Sequence, residues 1–204
     1  MFREFRGGFS LVEMLVVVGI LSVLIGIGIN AFSGATRRAQ QARTRAVVHD
    51  VATALETILT KDGAFPRRIL AEGGSDGLMD ETVAYELAKR RAMSLAYDEN
   101  NKKTCGQDRC GVVTPWAQDV LKRSNSASSG TSVPSGGTIK DHTIHFAVDT
   151  DGDGFVNASV GGESVKIRAS AVAWSCGRDG VMYKYSEGVR HDCAYSWSRG
   201  QVEK

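Results

Sequence analysis

The stretch Gly7-Gly8-Phe9-Ser10-Leu11-Val12-Glu13-Met14-Leu15 constrains this chain more than any other. A short polar leader, Met1 to Gly8, stops at a glycine pair. An apolar run from Phe9 to Phe32 follows, interrupted only by Ser10, Glu13, Ser22 and Asn30. At about 1.5 Å of helical rise per residue it spans roughly 36 Å, enough to cross a bilayer core of about 30 Å. Glu13 is the anomaly, because a carboxylate in a lipid-facing helix costs roughly 2.5–3.5 kcal/mol. A cut after Gly8 supplies its partner. Phe9 then carries an amine one helical turn before Glu13, and ammonium and carboxylate relieve each other's desolvation, within one subunit or between neighbours.

A plain signal anchor and an ordinary secretory signal are the competing readings. A secretory signal places a small-residue cleavage site after its apolar region, and Phe32-Ser33-Gly34-Ala35 suits one. Such a region is usually about 7–15 residues long and rarely contains Glu. The pattern favours the leader that ends at Gly8.

This stretch resembles the prepilin leader and first helix of type IV pilins and the related type II secretion pseudopilins. In that family a short leader ends in Gly, the mature chain opens on an aromatic residue, and a Glu follows four residues later. Gly8, Phe9 and Glu13 match in turn. The resemblance implies cleavage after Gly8 by a prepilin peptidase, methylation of the Phe9 amine, and assembly through helix packing. Where the family commonly has a proline, Asn30 stands here. Any loosening of the helix is then left to Gly19, Gly26 and Gly28, which serve close helix packing equally well.

Beyond the apolar run the remainder is domain-sized and long enough for a core of its own. The formal charge of +2, with no long run of one sign, makes no demand for nucleic acid or an acidic substrate. Four cysteines, Cys105, Cys110, Cys176 and Cys193, follow a membrane-targeting segment, which favours two disulfides in an oxidising compartment. Sequence allows three connectivities. Cys105–Cys110 with Cys176–Cys193 is favoured because each pair flanks a Gly-containing or polar loop, and neither spacing is a Cys-x-x-Cys zinc knuckle. Arg37, Arg38, Arg43 and Arg45 just past the apolar run, against Arg3 and Arg6 beside Glu4 before it, would put the C-terminal side in the cytoplasm by the positive-inside rule. The family resemblance and the cysteines point instead to an inner-membrane protein with a periplasmic domain, which is the orientation expected.

The first helix is expected to run to Asp62, about 80 Å in all. Val47, Val48, Val51, Leu55, Ile58 and Leu59 form an apolar stripe, Lys61 suits the C-terminus and Gly63 the cap. Residues 67–78 read as irregular. Asp80 caps a helix to about Tyr97, Asp98 to Arg109 reads as a loop, and Thr114-Pro115-Trp116 opens a helix to about Lys122. Ser124 to Gly137, with six serines and three glycines, reads as a surface loop. Thr143–Val148, Gly154–Val160, Val165–Trp174 and Val181–Tyr185 read as four antiparallel strands. The fold class is therefore α+β, with a long N-terminal helix on a four-stranded antiparallel sheet and short extra helices. Pilin-like proteins share that architecture. The organisation expected is a leader over 1–8, the polymerisation half of the helix over 9–32, and a globular domain over 33–204.

Two places suit a cation. Asp149, Asp151 and Asp153 alternate with glycines as in the first half of an EF-hand loop, but Val160 occupies the position of the bidentate Glu, and the same Asp-Gly pairs suit a hairpin turn. The segments Trp174–Gly180 and His191–Trp197 resemble the C-terminal loop of major pseudopilins. That resemblance implies Ca²⁺ held by Asp179 and Asp192, unless a Cys176–Cys193 bridge staples the loop instead. His142 and His145, three apart on one strand, are expected on opposite faces, and His49 lies on the polar part of the helix. No catalytic constellation emerges. The reading is a structural subunit of a type IV pilus or type II secretion pseudopilus, polymerising with its own kind or with related subunits. A pilus-associated adhesin or DNA-uptake pilin, and a signal-anchored enzyme, are the alternatives.

Overall fold

The structure, a computed structural model, describes residues 11–95, 97–98, 100, 103–104, 112–114, 142–188 and 192–203, with the side chains of 27–33, 97–98 and 103–104 outside that description. Gly8, Phe9, the Cys105–Cys110 pair, the helix expected from Thr114 to Lys122 and the serine-rich loop lie wholly or mostly outside it. Two compact units separate, Met1–Ala39 and Gln40–Lys204. Residues 34–39, just before that division, are exposed helix.

Helix α1 covers Leu11–Asp62. In the packed unit Thr44, Val48, Val51, Leu55 and Ile58 are buried, a spacing of three and four that keeps one stripe on one face. Thr44 turns its hydroxyl back to the Gln40 carbonyl at 2.9 Å, so its presence on this face leaves no polar atom unpaired. Gly63, at φ 73°, donates its amide to the Leu59 carbonyl and closes the helix as the sequence pattern anticipates.

Residues 67–78 are more ordered than their glycines suggest. They form α2 (Arg67–Glu72) and the short strand β1 (Gly77–Leu78). A side chain at Gly73 would come within 2.6 Å of the Phe146 ring and one at Gly77 within 2.9 Å, so these two glycines let the turn lie directly on Phe146. Helix α3 (Glu81–Lys89) starts as expected. The Asp80 carboxylate accepts the amides of Thr82 and Val83, a cap that stabilises a helix by about 1 kcal/mol. It ends well before Tyr97. Arg91 adopts φ 54°, with its amide on the Ala88 carbonyl and that of Ala92 on the Leu87 carbonyl. This is a Schellman stop with arginine where glycine is usual. Tyr97–Asp98 and Lys103–Thr104 instead pair as β2 and β3.

The main sheet is antiparallel in the order β1, β4 (His145–Val148), β7 (Ala171–Ser175), β8 (Ala194–Tyr195). Strands β5 (Val156–Val160) and β6 (Glu163–Ile167) form a separate hairpin. Two sequence expectations are corrected here. The run Val165–Trp174 is split between β6 and β7, because the Arg168 amide is drawn to the Gln201 carbonyl. Val181–Tyr185 is not a strand. The Asp179 carboxylate holds it in a turn by accepting from the Val181 amide and the Tyr183 hydroxyl, and a short helix α4 (Tyr185–Gly188) follows.

Side chains alternate across β4 and β7, so the sheet carries two cores. One face joins Phe146, Val148, Ala171 and Ala173 to the α1 stripe and to α3. The other joins Ala147, Val172 and Trp174 to the β5–β6 hairpin and Trp197. Arg90 ties α3 to the end of α1 through Asp62 at 3.0 Å and also pairs with Glu86. The fold is α+β, with helices on one face of an antiparallel sheet.

Candidate functional site

The N-terminal unit carries its apolar side chains outward. Leu11 is 82% exposed and Leu15 68%, and the large apolar residues between Leu11 and Ile25 stay near half exposed or more on every side of the helix. A helix apolar all round is one that is buried in its working state. Glu13 is exposed among them and Ser22 returns its hydroxyl to the Val18 carbonyl. Among the described residues no helix is long and apolar enough to cross a membrane.

Asp149, Asp151 and Asp153 are brought together as their spacing suggests, with one carboxylate oxygen of each within 4.8 Å of the others. Asp149 accepts the Gly152 amide at 2.7 Å and the Gly154 amide at 2.8 Å, and Asp153 accepts the Phe155 amide. Slight burial pushes the Asp149 carboxyl up. The backbone amides of Gly154 and Gly152, together with Asp151, outweigh it and hold the group below its ordinary 3.8. Among the described residues these three carboxylates form a cluster close enough to share a cation, and the same bonds also make a self-sufficient turn.

The C-terminal segment is arranged differently. Asp179 is engaged by Val181 and Tyr183, while Asp192, at φ 62°, accepts the side-chain amide of Gln41 at 3.1 Å. No group of three His, Cys, Asp or Glu side chains gathers around them among the described residues. Cys176 and Cys193 are buried and are not joined to each other. The Cys176 sulfur lies 3.9 Å from His142 Nδ1. Burial pushes the Cys193 thiol up, against the backbone amides of Tyr183 and Gly177 that pull it down. Burial beside Cys193 likewise pushes the Tyr195 phenol up.

Spacing alone does not reveal two of these relationships. His142 is buried beside Cys176, and His145 pairs with Asp76 at 2.6 Å while stacking on Trp174 at 5.7 Å between ring centres. Each partner comes from a strand or loop far away in the chain. His49 is exposed on α1, as its polar surroundings imply.

A long helix with an apolar, outward-facing N-terminal half, followed by a sheet-bearing unit, defines the pilin-like class of α+β protein. A family profile described as the prokaryotic N-terminal methylation motif matches residues 5–29. The chain is 30% identical over 130 residues to a protein of Escherichia coli (strain K12) described as prepilin peptidase-dependent protein D, covering 59% of this chain and 86% of that relative. No solved structure gives a significant match. The chain belongs to the type IV pilin and type II secretion pseudopilin family.

Proposed function

We propose that this chain is a structural subunit, a pseudopilin or a pilin, of a type II secretion pseudopilus or a type IV pilus. A prepilin peptidase cuts it after Gly8, the Phe9 amine is methylated, and the subunit waits in the bacterial inner membrane with its packed unit in the periplasm. It then polymerises through its first helix with copies of itself or with related subunits. The observation that carries this reading is the apolar surface from Leu11 to Ile25, exposed on all sides of its helix. Such a surface calls for a lipid or helical environment. Glu13 is the one carboxylate in it, placed one turn after the new amine. In a dry helix bundle that pair sets the register between neighbours.

Mass spectrometry of the mature N-terminus tests the processing step. The expected chain starts at methylated Phe9, and an uncut Met1 or a start near Gly34 overturns it. For assembly, Glu13→Val should be cut normally yet drop out of sheared filaments or pseudopili. Normal incorporation of that variant would remove Glu13 from its role.

A further inference from the structure

The chain contains five Asp-Gly pairs: Asp62-Gly63, Asp76-Gly77, Asp151-Gly152, Asp153-Gly154 and Asp179-Gly180. This dipeptide is among the least durable in a polypeptide, because glycine puts no side chain in the way of its own nitrogen. That nitrogen attacks the side-chain carboxyl carbon of the aspartate before it. A C–N bond forms, and one carboxyl oxygen leaves as water with the amide hydrogen and a proton from solvent. Water then reopens the five-membered imide. Entry at the side-chain carbonyl restores aspartate, and entry at the main-chain carbonyl leaves isoaspartate, with one more carbon in the backbone. No atom is gained or lost overall, and nothing is oxidised.

At three of the pairs the aspartate itself is held by a partner elsewhere. Asp62 pairs with Arg90, Asp76 pairs with His145, and Asp179 accepts from the Val181 amide and the Tyr183 hydroxyl. At the other two the attacking nitrogens are held, and by one group. The Gly152 amide donates to one Asp149 oxygen at 2.7 Å and the Gly154 amide to the other at 2.8 Å. To reach the carboxyl carbon, each nitrogen must turn its peptide plane and give up its hydrogen, and either step breaks the bond to Asp149. The charge on Asp149 also opposes the amide anion through which the attack passes. With its carboxyl held below 3.8, Asp149 is far too weak a base to take that proton itself. Bulkier residues in place of the glycines are not open to this turn, because Gly152 and Gly154 stand at φ 77° and 84°.

We propose that Asp149 is a protective residue: by holding the amides of Gly152 and Gly154 it keeps Asp151 and Asp153 from rearranging to isoaspartate. The two linkages lie in the turn between β4 and β5, and Val156, Ala158 and Val160 of β5 fill the second core. An extra backbone carbon in that turn lengthens the connection on which their seating depends. The proposal goes beyond the filament reading and does not depend on it.

The full chain and its Asp149→Ala variant are aged for several weeks at neutral pH in EDTA and then digested with trypsin. Isoaspartate in each peptide is read by methyl transfer from S-adenosylmethionine with an isoaspartyl methyltransferase. In peptide 141–166, which carries Asp151 and Asp153, it should accumulate several-fold faster in the variant. In peptide 179–184, which carries Asp179-Gly180, the rate should not change. An unchanged rate in 141–166 overturns the proposal, and a slower one makes Asp149 a base for the attack and overturns it equally. If both peptides age faster, the variant has opened as a whole, and amide hydrogen exchange of the unaltered chain decides. Gly152 and Gly154 amides that exchange well below the rate of an open peptide support the protective role, and exchange at the open-peptide rate overturns it.

Discussion

Gln41 on helix α1 donates its side-chain amide to Asp192, 151 positions later in the chain, at 3.1 Å. The contact joins the start of the packed part of the helix to the loop that leads into the last strand, and Asp192 holds it from a left-handed backbone conformation. Gln41→Ala is expected to cost about 0.5–1.5 kcal/mol in urea unfolding, the usual net value of one such bond. Asp192→Asn should be close to neutral, because asparagine keeps an acceptor and tolerates a positive φ. Asp192→Ala loses the bond and adds roughly 1–2 kcal/mol of backbone cost. Equal midpoints for the Ala and Asn variants would mean that neither feature matters.

Leu55 tests the helix stripe. It is fully buried between α1 and the sheet, so Leu55→Ala should cost about 2–5 kcal/mol and lower the melting temperature of the packed unit. Leu15→Ala, on the exposed half, should leave that melting temperature unchanged. If both variants melt alike, the division of the helix into a packed and an unpacked half is wrong.

How far the fold was legible in the sequence follows the range of the forces involved. The stripe Val48, Val51, Leu55 and Ile58 shows in the sequence because helical period is a local property, and so does the Asp80 cap. The end of α3 does not, because Arg91 takes the conformation for which glycine is the usual marker. Val181–Tyr185 has the composition of a strand, yet Asp179 bonds its first amide into a turn. At the site, the grouping of Asp149, Asp151 and Asp153 could be read from spacing alone. The approach of His142 to Cys176 and of Asp76 to His145 depends on strand register, which spacing does not encode.

Asp149 makes a pH-dependent contribution. Its folded value lies below the ordinary 3.8, so the stabilisation is complete above that value and is lost as pH falls through the folded one. Asp149→Ala should cost about 1 kcal/mol at pH 7 in the presence of EDTA, since two backbone amides lose their acceptor. The difference from the unaltered chain should narrow at pH 3. A cost at pH 7 that appears only when Ca²⁺ is present would reassign the turn to a metal.

Ser175 offers the opposite sign. Its hydroxyl is fully buried on β7 and has no hydrogen-bond partner among the described residues. Ser175→Ala should therefore leave the urea midpoint unchanged or raise stability by up to about 1 kcal/mol. A loss greater than that would reveal a bound water or another acceptor at this position.

The outward apolar helix also sets a rule for the life of the molecule. Fully burying each of its large side chains is worth about 1.5–3 kcal/mol, so every step that wets them is opposed by the sum. On the proposed reading the subunit changes neighbours, from lipid to other helices, without pausing in water between them. For a filament assembled as proposed, growth is then a direct hand-over at a membrane surface, and the stock of unassembled subunits is bounded by membrane area rather than by solubility.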